Sequence, residues 1–177
     1  MTAEGSEVAG SPAGTLLVKL EKEALNVLNE ILAKLTQNEK LIGIGAAIVA
    51  VAWLLGVLIT DSWYSASGAQ TMGLLAVVAA VAAVVILYLK YAPNMSITWP
   101  APLPVIFLGI AAVAGVVALF GLLQAFTYDP FAGFGNLIGA KANKPIMLYV
   151  VALGVVAGAG LMVYAAYLDW TASKSAA

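Results

Sequence analysis

Four long apolar stretches alternate with short polar ones along this chain, and an amphipathic stretch precedes the first of them. The clearest apolar run, residues 41–60, reads LIGIGAAIVAVAWLLGVLIT and holds neither a charge nor a proline. About 20 such residues, rising ~1.5 Å each, are what a helix needs to cross the hydrocarbon core of a bilayer. Eleven of them are Leu, Ile or Val. At roughly −0.3 to −0.6 kcal/mol apiece these supply about −3 to −7 kcal/mol towards insertion. The pattern recurs at about 71–91, 105–127 and 145–168, so four membrane-spanning helices are predicted.

Residues 15–35 read differently. At ~100° per residue, Leu16, Leu17, Leu20, Ala24, Leu25, Val27, Leu28, Ile31, Leu32 and Leu35 occupy one half of the helical wheel. Lys19, Lys22, Glu23, Asn26, Asn29 and Glu30 fill the other half, Lys34 lies at the boundary, and Glu21 is the one charge among the apolar positions. This is an amphipathic helix too polar to span. Two seams run along it, Leu17–Leu20–Ala24–Val27–Ile31 and Leu25–Leu28–Leu32–Leu35, and either suits a partner helix. Three Lys balance three Glu, whereas a helix built to grip anionic lipid carries a Lys-rich polar face. The wheel alone leaves lipid and protein both open as its support.

The connections follow from their residue types. Thr36-Gln37-Asn38-Glu39 is a capping-box pattern, which predicts a break in direction at Thr36 and a fresh helix running into the membrane. Residues 61–70 form a polar turn with Trp63 and Tyr64 at headgroup level. Residues 92–104 carry Pro100, Pro102 and Pro104 at alternate positions, which favours a stiff, extended connection. Residues 128–144 are the longest loop, with Phe131 and Phe134 as interfacial anchors and glycines between them. Pro145 suits the first turn of the last span. Residues 1–14 and 171–177 read as small, polar tails, the first without the cationic start or apolar core of a signal peptide.

Composition sharpens the picture. Only 10 % of the 177 residues are charged and 63 % are hydrophobic, against about 25 % charged in a soluble domain. Lipid is therefore the solvent. Net charge is −1, and every cation is Lys, so no field or bidentate fork exists for nucleic acid. The absence of Cys removes disulfides and thiolate chemistry, and the absence of His removes imidazole ligands and acid–base catalysis. With both termini inside, six Lys (19, 22, 34, 40, 90, 174) face the cytoplasm and two (141, 144) lie outside, which favours cytoplasmic termini.

Candidate sites are few. Asp61, Asp129 and Asp169 all fall at span ends, where carboxylates are solvated, rather than at the depth that proton or ion paths require. Gln124 is the strongest polar group within a span and predicts an interhelical hydrogen bond. Trp53, in mid-span, shows no evident hydrogen-bonding partner and reads as apolar bulk. Small residues four apart, above all Gly154/Gly158 and Gly43/Ala47, predict faces where helix backbones approach closely, within one chain or between copies. No nucleotide loop, nucleophile elbow or metal-binding helix motif occurs, so no catalysis, cofactor or metal is expected.

The sequence thus predicts an all-α integral membrane protein, a four-helix bundle of transmembrane helices preceded by an amphipathic N-terminal helix. The leading expectation is a non-catalytic structural or assembly protein, homo-oligomeric or docked on a membrane complex. Packing would run through Gly154, Gly158, Gly43, Ala47 and Gln124, and docking through Leu17, Leu20, Ala24, Val27, Leu28, Ile31 and Leu35. A small transport component and a lipid- or quinone-binding accessory subunit are the alternatives.

Overall fold

A computed structural model describes residues 12–59, 66–92, 97–129 and 145–175, with the side chains at 12, 13, 24 and 28 outside that description. All regular structure among these residues is helical: α1 (Pro12–Lys34), α2 (Gln37–Ile59), α3 (Ala69–Tyr91), α4 (Leu103–Thr127) and α5 (Ile146–Ser175). α2 to α5 are each long and apolar enough to cross a membrane, so this is a multi-pass membrane protein. The chain forms two compact units that divide between Leu35 and Thr36.

The first unit is α1. It begins at Pro12, three residues earlier than the hydrophobic pattern suggests, and proline is well suited to a first helical turn. Leu16, Leu17, Leu20, Leu25, Val27 and Leu32 are all exposed. Lys34 Nζ lies 2.6 Å from Glu30 Oε1 one turn back. The hydrogen bond and the lysine's charge hold the Glu30 carboxyl below its ordinary range.

The second unit is the bundle. Consecutive helices are antiparallel neighbours in the ring α2–α3–α4–α5, and α5 closes it against α2 in the most extensive contact of all. The buried positions repeat every 3.5 residues. On α4 they are Phe107, Ala111, Ala114, Ala118, Gly121 and Ala125; on α3, Gly73, Ala76, Ala80, Ala83 and Leu87. A 3.5-residue period keeps one seam facing its neighbours along the whole span, as in shallow-angle helix pairs. Apart from Leu87 and Phe107 these seams are made of Ala and Gly, while Val51, Leu58, Val78, Val113, Phe120 and Leu123 point outward. That inversion is senseless in water. In lipid no hydrophobic force drives helices together, so close backbone approach across Ala and Gly carries the packing.

Gly45 and Gly158 mark the tightest approach. A Cβ on Gly158 would lie 2.7 Å from the Gly45 carbonyl oxygen and 2.8 Å from the Val49 nitrogen, and one on Gly45 would lie 2.6 Å from the Gly158 oxygen. Here α2 and α5 touch backbone to backbone, which only glycine permits.

Two boundaries depart from expectation. Pro104 is not in the extended connection but in the first turn of α4, where its missing N–H costs nothing; the Pro102 carbonyl accepts from Val105 N at 2.9 Å. The last helix runs on to Ser175, so residues 171–175 are helical rather than a tail. Asp61, Trp63, Tyr64, Phe131, Phe134, Lys141 and Lys144 lie outside the described residues.

Candidate functional site at one end of the bundle

The antiparallel order brings the start of α2 level with the ends of α3 and α5, and a polar network forms there. It grows from the Thr36–Glu39 capping box. Glu39 N donates to Thr36 Oγ1 at 3.2 Å, and Thr36 N donates back to Glu39 Oε2 at 2.8 Å. This reciprocal pair satisfies two of the amides a helix start leaves open.

Glu39 has a second role that the sequence did not reveal. It is only 2 % exposed, and a carboxylate so placed needs compensation. Lys90 Nζ donates to Oε1 at 2.5 Å, and Tyr91 Oη donates to Oε2 at 2.7 Å. The ammonium also lies 4.9 Å from the Tyr91 ring centroid. Both carboxylate oxygens are committed, one to a cation and one to two neutral donors. The signs suit the helices as well, since Glu39 sits at the positive start of α2 and Lys90 at the negative end of α3.

The neighbouring residue ties in the fourth helix. Asn38 Nδ2 donates to Asp169 Oδ1 at 2.6 Å, so Asp169 is not merely a solvated span-end acid. Next to it, Trp170 packs against Tyr167 with ring centroids 5.9 Å apart and carries Lys174 Nζ 3.9 Å above its ring. Consecutive residues of one helical turn thus fasten α2 to the last turns of α3 and α5. Chemically the arrangement is a clamp. The Glu39 carboxylate is held by three donors, and the Asp169 carboxylate accepts from Asn38.

At the other end of the bundle, the start of α3 is shaped by backbone geometry. Gly68 takes a left-handed φ of 75° before α3, and its carbonyl accepts from Thr71 N and Met72 N. A Cβ at Gly68 would lie 3.1 Å from Gln124 Oε1. That oxygen is buried and has no hydrogen-bond partner among the described residues, so the expected interhelical bond is not made through it. Trp53 does have a partner: its Nε1 donates to the Gln70 carbonyl at 3.1 Å, tying α2 to the start of α3. A cavity of about 10 Å³ lies among Ala69, Gly73, Ala118, Gly121 and Ala152. That is at the lower limit for one water molecule, and its lining is apolar.

The predicted packing residues separate into two groups. Gly158 lies against Gly45 and Val49, and a Cβ on Gly154 would meet the Ala52 Cβ at 3.0 Å, so both face α2 within the chain. Gly43 and Ala47 turn away: nothing lies within 4 Å of a Cβ built on Gly43, and Ala47 is exposed. Sequence reasoning missed Gly45, which takes the inward position on α2. On the amphipathic face Leu17 is 66 % and Leu20 55 % exposed. Val27 is exposed, Ile31 buried and Leu35 half-buried, while the side chains of Ala24 and Leu28 lie outside the described residues. No group of three or more metal-ligating side chains occurs among the described residues.

The network Glu39–Lys90–Tyr91 was discoverable in principle. Once the spans are numbered, the end of the second returns to the level where the first began, which sets Lys90 beside Glu39. Comparison with protein-family models, curated proteins and solved structures finds no match to this chain.

Proposed function

We propose that this is a non-catalytic membrane assembly protein, with both termini on the cytoplasmic side, which associates with further copies of itself or with a larger complex in the plane of the membrane. One observation carries the reading: the bundle uses Gly45, Gly154 and Gly158 internally and leaves Gly43 and Ala47 facing outward on α2. Small residues four apart on a lipid-facing helix let a second helix approach closely, which is how association proceeds where no hydrophobic force acts. The polar groups add support, because those of the clamp are spent on holding helices together. A transport path has no comparable support, since Gln124 is the strongest polar side chain within a span. Nor has a ligand site among the described residues, where the cavity at Ala69, Gly73 and Gly121, about 10 Å³, falls far short of the ~300 Å³ that small-molecule pockets begin at.

The test is native mass spectrometry on protein purified in mild detergent, beside a Gly43→Leu/Ala47→Leu variant. The wild type is expected as a defined oligomer or with a stoichiometric partner, and the variant as a monomer with unchanged helicity. A wild-type protein that is monomeric and alone refutes the proposal.

A further inference from the structure

The bundle leaves α1 unexplained. Its apolar half displays Leu16, Leu17, Leu20, Leu25, Val27 and Leu32, all exposed, with Ile31 buried and Leu35 half-buried at its C-terminal end, and its polar half displays Lys19, Lys22, Glu23, Asn26, Asn29 and Glu30, also exposed. We propose that α1 lies in the headgroup layer of the bilayer that holds the bundle, with its apolar half on the acyl chains, and that a bilayer without net charge suffices to hold it.

Three observations lead there. The first is continuity. α1 ends at Lys34 and α2, a helix of membrane-spanning length, begins at Gln37, so only two residues separate the end of α1 from a helix that enters lipid. Glu39 fixes the level of that junction, because it is bonded both to the Thr36 amide and to the end of α3. Lys40, Lys90 and Tyr91 belong to the same level, and charged and aromatic side chains mark a membrane–water boundary. The C-terminal end of α1 is therefore already at the lipid surface.

The second is the width of the apolar face. The ten apolar positions between Leu16 and Leu35 span about 180° of the wheel at ~100° per residue. A coiled-coil seam needs only a narrow stripe, and a helix packed on a core about 100°. Half a cylinder is what a helix presents when it floats at a planar interface, sunk to its axis. One partner helix would leave most of this face uncovered.

The third is charge. Lys19, Lys22 and Lys34 are balanced by Glu21, Glu23 and Glu30, and Lys34 is already paired with Glu30. Attraction to an anionic surface scales with excess Lys and Arg. With no excess, burial of the leucines has to carry the attachment, and zwitterionic lipid serves as well as anionic lipid.

Because the chain has no Cys, single cysteines can be placed and spin-labelled in the full protein, reconstituted in phosphatidylcholine vesicles. Labels at Leu17, Leu20 and Val27 are compared with labels at Lys22, Asn26 and Asn29 by their accessibility to oxygen, which concentrates in lipid, and to a water-soluble nickel chelate. The first three are expected to favour oxygen and the last three nickel, with a period near 3.6 residues, unchanged by adding anionic phosphatidylglycerol or salt. Low accessibility to both reagents at 17, 20 and 27 would mean that protein, a second copy or a partner, covers the face, and would overturn the proposal. Nickel access all round the helix would overturn it too. A pattern that appears only with anionic lipid would overturn the claim that a neutral bilayer suffices.

Discussion

Replacing Gly158 by Ala and, separately, Gly160 by Ala makes the same chemical change two residues apart on α5 and should give opposite results. At Gly158 the new methyl would stand 2.7 Å from the Gly45 oxygen, 2.8 Å from the Val49 nitrogen and 2.9 Å from Val49 Cγ2. Two of those three atoms are backbone, so no rotamer change relieves the clash. α2 and α5 must separate along their shared seam, the most extensive in the bundle. Overpacking of this kind costs about 1–3 kcal/mol. At Gly160 nothing lies within 4 Å of the added carbon, and exchanging glycine for alanine in a helix gains roughly 0.5–1 kcal/mol. The two variants should therefore differ by about 1.5–4 kcal/mol, or roughly ten- to several-hundred-fold in the folding equilibrium. Titration of dodecyl sulfate into mixed micelles, followed by tryptophan fluorescence, reads that difference as a lower unfolding midpoint for Gly158→Ala. Gly45→Ala should behave like Gly158→Ala. If both α5 variants unfold at the same detergent fraction, backbone contact between α2 and α5 is not what holds this seam.

Further outcomes follow from the polar groups. Lys90→Met strips the cation from a carboxylate that is 2 % exposed; it should destabilise the bundle by about 3 kcal/mol, the lower end for breaking a buried pair, because Lys90 itself keeps partial access to water. Adding Glu39→Gln to that variant should recover part of the loss in the same detergent titration, and no recovery would show that the charge on Glu39 was not the difficulty. Gln124→Leu removes a buried oxygen that lacks a partner among the described residues, so stability should be unchanged or rise; a loss of more than ~1 kcal/mol would reveal a hydrogen bond at that oxygen. Trp53→Phe should lower stability by about 1 kcal/mol through the lost bond to the Gln70 carbonyl, and an unchanged midpoint would return Trp53 to the role of apolar bulk.

The elements were legible and their contacts were not, for a physical reason. Length and apolarity decide whether a helix spans a bilayer, and both are local properties, so four spans and the amphipathic helix could be read directly. The Thr36–Glu39 capping box is local too, and its reciprocal bonds are present. Glu39's ion pair joins residues 51 apart, a distance over which periodicity carries no information. Small-residue spacing finds such faces without saying which of them the bundle uses internally. Gly43, Gly45, Ala46 and Ala47 crowd one turn of α2 and point to every side, so four-residue spacing selects Gly43/Ala47 while the fold turns Gly45 inward. Which face is used depends on where Gly158 stands on a helix more than a hundred residues later. Trp53 was misread for a related reason, since its acceptor is a backbone carbonyl that no side-chain pattern announces.

The clamp also sets an order of events during synthesis. Asn38 and Glu39 leave the ribosome on the first span, yet their partners lie 131 and 51 residues further along the chain. At about 5–20 residues per second, Glu39 waits some 3–10 s for Lys90, and Asn38 some 7–26 s for Asp169. Until then the first turn of α2 has only its own capping box to satisfy it, and the carboxylate must stay at the water boundary instead of sinking with its helix. The bundle is latched in two stages, α2 to α3 and then α2 to α5, and the second latch shuts only when the last span has been delivered. A chain truncated before α5 would be threaded through the membrane with the first latch shut and the second never made.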